Sequence, residues 1–180
     1  ECPALDCVAV GEGELTLSIL ASGATLTGTP GLVIRSPEGN RATGEPHRVE
    51  DLDNLPRPRR DLLAPEFYFR PHDQLIRGLR LRGAHIVTAR GCTHRCNFCT
   101  GSLCFGRGIR YHSPERVVAE IQELVERYRI EGIYIADDVF MTQPERVEQL
   151  CQALHAAGLH RRMLWCCQLR VDGLTLEVLR

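Results

Sequence analysis

The chain has 180 residues, of which 43% are hydrophobic and 25% are charged. These fractions are typical of a soluble globular protein, and the length suits one ordinary domain or a partial domain with an appendage. The formal net charge of −1 gives no strong field that would recruit nucleic acid or an anionic membrane. No apolar stretch is long enough to span a bilayer, and no signal peptide is visible. We therefore predict neither a nucleic-acid partner nor a membrane span. The nine cysteines are an odd number, and three of them stand close together, which argues against a secreted disulfide framework and predicts a cytoplasmic protein.

Both ends of the sequence are abrupt. Glu1 stands just ahead of a strand-like run, and there is no initiator Met. At the other end, residues 174–180 start a helical pattern that is not completed. We therefore expect this chain to be an internal piece of a longer protein.

The first part of the chain is predicted to hold short elements followed by a long connection. Residues 4–10 are predicted as a buried strand, residues 15–20 as a helix and residues 32–40 as a small hairpin. Residues 45–66 combine many prolines and charges with four leucines. A free linker would not need so many leucines, so this linker is predicted to pack on a neighbouring surface.

From residue 85 onward the pattern changes to alternating strands and helices. Strands are predicted at 85–89, 133–136 and 163–169. Helices are predicted from the N-cap Ser113 to Gly132, from Pro144 to Ala157 with Cys151 on the buried face, and from Leu174 onward. Three successive strand–helix units indicate parallel strands, as in a doubly wound sheet or a β/α barrel.

Three cysteines stand together just after the first of these strands. Cys92, Cys96 and Cys99 have the spacing C-x3-C-x2-C and follow the apolar run 86–89. Iron–sulfur clusters usually take four thiolates, so three ligands would leave one iron open to an exogenous molecule, which favours catalysis over electron storage. The alternative is a structural zinc site, which needs a fourth ligand such as Cys104 or His94.

The cysteine segment resembles the signature of the radical S-adenosylmethionine (SAM) superfamily, C-x3-C-x-aromatic-C, with Phe98 at the aromatic position. The resemblance implies a partial (β/α) barrel, with about the first three of its six units in this chain. It also implies a [4Fe–4S] cluster on Cys92, Cys96 and Cys99, with SAM on the fourth iron and Phe98 near the adenine. The reduced cluster would cleave SAM to a 5′-deoxyadenosyl radical that attacks a small-molecule substrate, with a reductant such as flavodoxin or ferredoxin.

Three further residues follow strand ends, where barrel enzymes build their sites. Asp137 and Asp138 close the second strand, and the resemblance implies that they receive the SAM ammonium group by charge-assisted hydrogen bonds. The alternative is a helix-capping aspartate ahead of Pro144. Arg170 follows the third strand, where it would bind the SAM carboxylate or pair with Asp172.

A second resemblance covers the front of the chain. Residues 6–14 and 51–56 resemble the stretch that joins a Rossmann-like cobalamin-binding domain to a radical SAM barrel. The implied division is a cobalamin-domain tail at 1–28, a hairpin and linker at 29–82, and the first half of the barrel at 83–180. Cobalamin binding would then belong to the longer parent protein.

The sequence as a whole predicts a radical SAM enzyme that activates a C–H bond, with cobalamin-dependent methylation or ring rearrangement as outcomes. One alternative is a methylthiotransferase-like radical SAM enzyme. Another is a non-catalytic iron–sulfur or zinc module closed by Cys104. The Cys104→Ala variant separates an open site from a closed one, because only a closed site would lose its metal.

Overall fold

The computed structural model of the chain describes residues 4–70, 75, 76, 78–171 and 176. The strands are β1 (Cys7–Ala9), β2 (Leu32–Ser36), β3 (Gly39–Ala42), β4 (Leu75–Ile76), β5 (Leu79–Arg80), β6 (Gly83–Ile86), β7 (Ala89–Arg90), β8 (Arg110–Tyr111), β9 (Gly132–Ile135) and β10 (Leu164–Cys167). The α-helices are α1 (Glu14–Ala21), α2 (Pro65–Tyr68), α3 (Gly101–Phe105), α4 (Pro114–Tyr128) and α5 (Pro144–Ala156). Short 3₁₀ turns lie at Leu52–Asn54, Arg60–Leu62 and Leu159–Arg161.

The chain divides into two compact units. Unit 1 comprises Glu1–Glu50 and His94–Gly108, and unit 2 comprises Asp51–Thr93 and Ile109–Arg180. The predicted boundaries at residues 28 and 82 stay predictions of domain ancestry. The structural division shows instead that the segment after Thr93 packs with the N-terminal fifty residues.

Unit 1 is built on a three-stranded antiparallel sheet in the order β1-β2-β3. The predicted hairpin is confirmed as β2 and β3, in which Ile34 pairs with Arg41. Strand β1 adds to it with Val8 opposite Val33. The predicted first helix is confirmed as α1.

Unit 2 is built on a parallel sheet in the order β10-β9-β6. Ile133 of β9 lies between Ala84 of β6 and Trp165 of β10. Since parallel neighbours need a long crossover, α4 and α5 supply the connections from β6 to β9 and from β9 to β10. The predicted parallel α/β arrangement is therefore confirmed.

Helix α4 begins as predicted and ends earlier than predicted. Ser113 is the N-cap, its side chain accepts a hydrogen bond from the Arg116 backbone N–H, and Pro114 follows it. The helix does not run to Gly132: it ends at Tyr128, and Arg129 takes the left-handed conformation at φ 54°. Gly132 is instead the first residue of β9, where a Cβ would lie 2.5 Å from Cδ1 of Ile76. That glycine marks close packing rather than a helix end.

The hydrophobic core of unit 2 lies between the parallel sheet and its helices. Helix α4 buries one stripe, as its sequence period predicts, and the sheet presents its apolar side chains to it. The buried residues that form this core include Ile86, Val117, Ile121, Leu124, Ile133, Ile135, Leu150, Leu154 and Leu159. Cys151 was predicted on the buried face of α5 and is exposed, because its position falls beside the stripe that Val147, Leu150 and Leu154 form.

The linker packs on α4, as its composition predicts, and polar contacts contribute to this packing. Asp53 accepts a hydrogen bond from the Ser113 backbone N–H at 3.1 Å. Arg116 donates to the Leu55 carbonyl at 2.8 Å. Arg60 and Glu120 form an ion pair at 2.6 Å with both side chains largely buried. The linker thus belongs to unit 2 from Asp51 onward.

Some expectations fall on residues that the structure does not describe. The third helix, predicted from Leu174, and the possible partner of Arg170 at Asp172 both lie outside the described residues. Among the helices that are described, none has the length and apolar character needed to cross a bilayer.

Candidate functional site

The cysteine loop leaves unit 2 through a short antiparallel pair that the sequence did not predict. Residues 85–89 were predicted as one strand, whereas β6 ends at Ile86 and β7 begins at Ala89. Ala89 pairs with Tyr111 and Arg90 with Arg110. Gly91 follows at φ 91°, a conformation that favours glycine. The loop therefore starts from a paired strand, and the backbone takes a left-handed conformation just before Cys92.

The three predicted metal ligands are accessible thiols. Cys92 and Cys96 are partly buried, Cys99 is exposed, and none of the three forms a disulfide. Cys92 belongs to unit 2, whereas Cys96 and Cys99 belong to unit 1. Phe98 is 86% exposed, so it takes no part in packing under the loop.

The end of the loop has local order. The Cys99 backbone N–H donates to the Cys96 carbonyl at 3.1 Å. The Gly101 N–H donates to Sγ of Cys99 at 3.4 Å as α3 begins. A hydrogen bond to a cysteine sulfur tunes the reduction potential of an iron–sulfur cluster bound to it.

The residues present fit an iron–sulfur centre by their chemistry. Three cysteines that form no disulfide stand within eight residues of sequence, and thiolates are the usual ligands of such clusters. In the described part of the chain, no three His, Cys, Asp or Glu side chains are gathered closely enough to hold a metal ion. We therefore expect the loop to rearrange when a cluster binds.

Cys104, the candidate fourth ligand, is exposed on α3. Its backbone carbonyl lies 3.4 Å from the point where a Cβ on Gly11 would stand. Gly11 has φ 73°, so the turn after β1 makes a close backbone approach to α3 within unit 1. Arg48 adds a hydrogen bond to the Arg107 carbonyl at 3.1 Å. The segment after the cysteines is thus held by N-terminal residues.

Asp137 is a buried carboxylate directed back at the strand that leads to the cysteine loop. It is 1% exposed. Oδ1 accepts hydrogen bonds from the backbone N–H groups of Thr88 at 2.5 Å and Ala89 at 3.0 Å. Oδ2 accepts one from the Thr88 hydroxyl at 2.5 Å. Burial raises the pKa of Asp137, although the bonds from Thr88 and Ala89 and the charge of Arg146 oppose that rise.

Asp137 does not cap a helix. The N-cap of α5 is Gln143, which makes no side-chain cap hydrogen bond. The helix-capping alternative for this aspartate is therefore wrong, because its oxygens are taken up by Thr88 and Ala89.

Arg146 is a buried residue of this region that the sequence analysis missed. It is 7% exposed. Its Nη2 donates to the Thr88 carbonyl at 3.0 Å and to the Thr88 hydroxyl at 2.9 Å, and its guanidinium lies 4.4 Å from the ring centroid of Tyr111. Burial lowers the pKa of Arg146, and the charge of Asp137 opposes that fall. The one available signal was an arginine in the first turn of α5 beside a buried valine.

Asp138 and Arg170 are both exposed after the ends of neighbouring parallel strands, β9 and β10. The backbone between them is tied together, because the Phe140 N–H donates to the Gln168 carbonyl at 2.9 Å. These two predicted cofactor residues therefore lie at the carboxyl edge of the sheet, as their sequence positions predict.

Comparison with known families assigns the chain. The model of the Radical SAM superfamily matches residues 86–178, which is more than half of the sequence. The chain belongs to the radical SAM superfamily. The three cysteines and both exposed polar residues at the sheet edge lie inside the matched range.

Curated relatives of this radical SAM chain include several proteins named as methyltransferases. An uncharacterised methyltransferase of Pyrococcus horikoshii is 34% identical over 96% of this chain and 36% of its own length. The hopanoid C-3 methylase of Methylococcus capsulatus is 32% identical over 88% of this chain and 28% of its own length. An anaerobic magnesium-protoporphyrin IX monomethyl ester cyclase of Cereibacter sphaeroides is 25% identical over 95% of this chain. The chain spans about a third of the length of these methyltransferase relatives.

Solved radical SAM structures share the fold. The radical SAM methyltransferase TsrM from Kitasatospora setae, solved with tryptophan and a SAM analogue, has a TM-score of 0.62 at 20% identity, over 89% of this chain and 32% of that one. The cobalamin-dependent SAM radical enzyme OxsB has a TM-score of 0.65 at 21% identity, over 96% of this chain and 24% of that one. TsrM has also been solved with cobalamin and a [4Fe–4S] cluster bound.

Proposed function

We propose that this chain forms the cluster-binding part of a radical SAM enzyme that activates a C–H bond of a small molecule. The observation that carries the proposal is the C-x3-C-x2-C loop of Cys92, Cys96 and Cys99, which follows β7 inside the matched family range. A bound [4Fe–4S] cluster would supply the electron that cleaves SAM to a 5′-deoxyadenosyl radical. Methylation is the proposed outcome, supported by relatives named as a methyltransferase and a methylase.

The chain's own residues would hold and orient the cofactors. The thiolates of the three cysteines would bind three irons, and the N–H of Gly101 would stabilise the Cys99 sulfur. The exposed Asp138 would accept hydrogen bonds from the SAM ammonium group, and Arg170 would donate to its carboxylate. Phe98 would pack on the adenine, a role that its 86% exposure leaves open to a ligand.

The proposal also extends to an electron donor, to cobalamin and to a location in the cell. A flavodoxin or ferredoxin would deliver the electron, for which the exposed Cys99 offers a short path. Cobalamin would bind the longer parent protein, since solved relatives of this fold contain it. A cytoplasmic location is supported by the eight described cysteines, none of which forms a disulfide, because disulfides persist mainly in oxidising compartments.

The proposal is tested by anaerobic reconstitution of the 180-residue chain with iron and sulfide. Iron and acid-labile sulfide are counted, and the reduced protein is examined by electron paramagnetic resonance with and without SAM. A four-iron signal that changes on addition of SAM is expected, because three protein ligands leave one iron open. Zinc uptake instead of iron, or a four-iron signal that SAM leaves unchanged, would contradict the proposal.

A matched pair of variants identifies the ligands. Cys99 and Cys104 are both exposed free thiols, but only Cys99 belongs to the family spacing. Cys99→Ala is expected to abolish four-iron cluster formation, whereas Cys104→Ala is expected to bind iron like the wild type. Loss of the cluster from Cys104→Ala would indicate a closed, non-catalytic site.

A further inference from the structure

A compact polar network is buried around Thr88, shortly before the cysteine loop in sequence. Its members are Thr88, Asp137 and Arg146, which are 0%, 1% and 7% exposed. They come from the connection after β6, the end of β9 and the first turn of α5. Three separate elements therefore meet at one threonine.

Every polar group of Thr88 is engaged in this network. Its N–H and hydroxyl donate to Asp137. Its carbonyl accepts hydrogen bonds from Arg146 at 3.0 Å and from the His112 backbone N–H at 2.9 Å. The hydroxyl oxygen also accepts from Arg146 at 2.9 Å. Such a residue has little freedom to move, because its N–H, its hydroxyl and its carbonyl each have a hydrogen-bond partner.

Burial of this network is unfavourable in free energy. Taking a carboxylate and a guanidinium out of water carries a large desolvation penalty that their attraction seldom exceeds. Nε and Nη1 of Arg146 are buried without a hydrogen-bond partner among the described residues, and the stack on Tyr111 at 4.4 Å offsets only part of that loss. An apolar trio would hold the strands together at lower cost, so stability alone does not explain these residues.

The network acts on the point from which the cysteine loop departs. Thr88 lies in the connection between β6 and β7, Ala89 is the first residue of β7, and β7 leads through Gly91 to Cys92. Asp137 accepts hydrogen bonds from the backbone N–H groups of Thr88 and Ala89. The backbone just before the first cysteine of the loop is thus held by Asp137 and Arg146, which lie 49 and 58 positions after Thr88 in sequence.

We propose that Asp137 and Arg146 are positioning residues for the cluster-binding loop. The inference rests on the proposed function, in which Cys92 binds iron, and it replaces direct SAM contact as the role of Asp137. The pair holds the Thr88–Ala89 backbone rigid, so that Cys92 is presented in one orientation. Without the pair, the start of the loop gains freedom and the cluster is held less tightly.

The test uses two matched pairs of variants in the 180-residue chain. Arg146→Met removes the buried guanidinium, and its control, Arg162→Met, removes an exposed one whose nearest acidic partner, Glu126, is 3.6 Å away. Thr88→Val removes the hydroxyl and keeps the shape of the side chain. Its control, Thr88→Ser, keeps the hydroxyl. Iron release to a chelator is timed after reconstitution, and hydrogen exchange of residues 86–99 is measured on the metal-free protein.

Arg146→Met and Thr88→Val are expected to release iron about tenfold faster than the wild type, the lower end of the loss reported when a group supporting a metal ligand is removed. They should also speed exchange in residues 86–99 while leaving α4 unchanged. Arg162→Met and Thr88→Ser should match the wild type in both measurements. A merely destabilising substitution would speed exchange across the whole of unit 2.

Wild-type rates of iron release and exchange in Arg146→Met and Thr88→Val would overturn the inference. A wild-type chain that takes up no iron would overturn the proposed function instead, and the exchange measurement, which needs no metal, would still decide the positioning role. If Arg146→Met does not fold, the comparison of Thr88→Val with Thr88→Ser decides it.

Discussion

Cysteine side chains in this chain differ strongly in environment, and that difference predicts their reactivity. Burial raises the pKa of Cys167 to about 11, with a smaller contribution from the nearby Cys166, Asp137 and Cys151. At pH 8 only about one Cys167 in a thousand is then a thiolate, the reactive form. Iodoacetamide is therefore expected to alkylate the exposed Cys99 well before Cys167 in the metal-free protein.

Peptide mass spectrometry over a time course measures the order of alkylation. In guanidinium, where the chain is unfolded, the two cysteines should react at similar rates. Equal rates in the folded protein would show that Cys167 is not protected by the sheet.

At the residue scale, the sequence predicted what a local pattern encodes and missed what distant contacts create. The spacing of Cys92, Cys96 and Cys99 identified the family without any structure. Arg146 gave no such signal, because its hydrogen-bond partner Thr88 lies 58 positions away and an arginine near a helix start is usually solvated. Asp137 is buried and Asp138 is exposed, and this difference likewise depends on a distant contact, the one between Asp137 and Thr88.

Helix α4 depends on its N-cap. The Ser113 side chain accepts a hydrogen bond from the Arg116 N–H at 3.2 Å, so Ser113→Ala is expected to lower the free energy of unfolding by about 1 kcal/mol. Gln143→Ala is the matched control, because Gln143 is the N-cap of α5 and makes no side-chain cap hydrogen bond. Urea denaturation followed by circular dichroism measures both. Equal losses in the two variants would contradict the capping role.

The contact between the linker and α4 is expected to depend on pH through Asp53. Burial alone would raise the pKa of Asp53, but hydrogen bonds from Ser113 and His112 outweigh it, so the pKa lies below its ordinary value of 3.8. Because the pKa is lowered, the charged form of Asp53 stabilises the folded state, and this stabilisation is fully present at pH values above the ordinary pKa of the unfolded chain. The stabilisation is lost as the pH falls through the folded pKa, because the unfolded chain takes up the proton first.

The measurement compares urea denaturation of the wild type and Asp53→Asn between pH 7 and pH 2.5. The wild type is expected to be the more stable at pH 7, and the difference should shrink below about pH 4. Glu38→Gln, at an exposed turn residue, serves as the control substitution. A difference that stays constant across this range would rule out a role for the Asp53 charge.

At the element scale, the strongly periodic segments were predicted well. Both long helices and the three parallel strands occur close to their predicted places, because each carries a clear apolar repeat. Strands β7 and β8 have two residues each, too few for any repeat to show. The end of α4 was missed because Arg129 adopts a conformation that usually favours glycine.

The two units differ in how much apolar surface they bury, and local stability should follow. The hydrophobic core gathers residues of unit 2 alone, whereas β3 of unit 1 is exposed along its whole length. Hydrogen exchange of β6 and β9 is therefore expected to be slower than that of β2 and β3. Mass spectrometry of peptides from both sheets in the metal-free protein measures this. Slower exchange in the hairpin would contradict the prediction.

At the scale of the whole molecule, the sequence predicted the α/β class and the family but not the way the chain divides. The residues after Thr93 join the N-terminal unit, and no composition change marks that point. The association depends on contacts such as those of Arg48 with Arg107 and Gly11 with Cys104, which connect distant parts of the sequence.

The bond between Thr88 and Asp137 also orders events during folding. It joins residues 49 positions apart, and contacts of such separation form slowly because a long loop must close first. Before β9 pairs with β6, Asp137 does not yet hydrogen-bond the backbone that precedes the cysteines. In a newly made chain, the thiols of the three cysteines would thus first be exposed to oxidants. The iron site would become ordered only after the sheet has assembled. Cluster insertion should therefore follow folding in time.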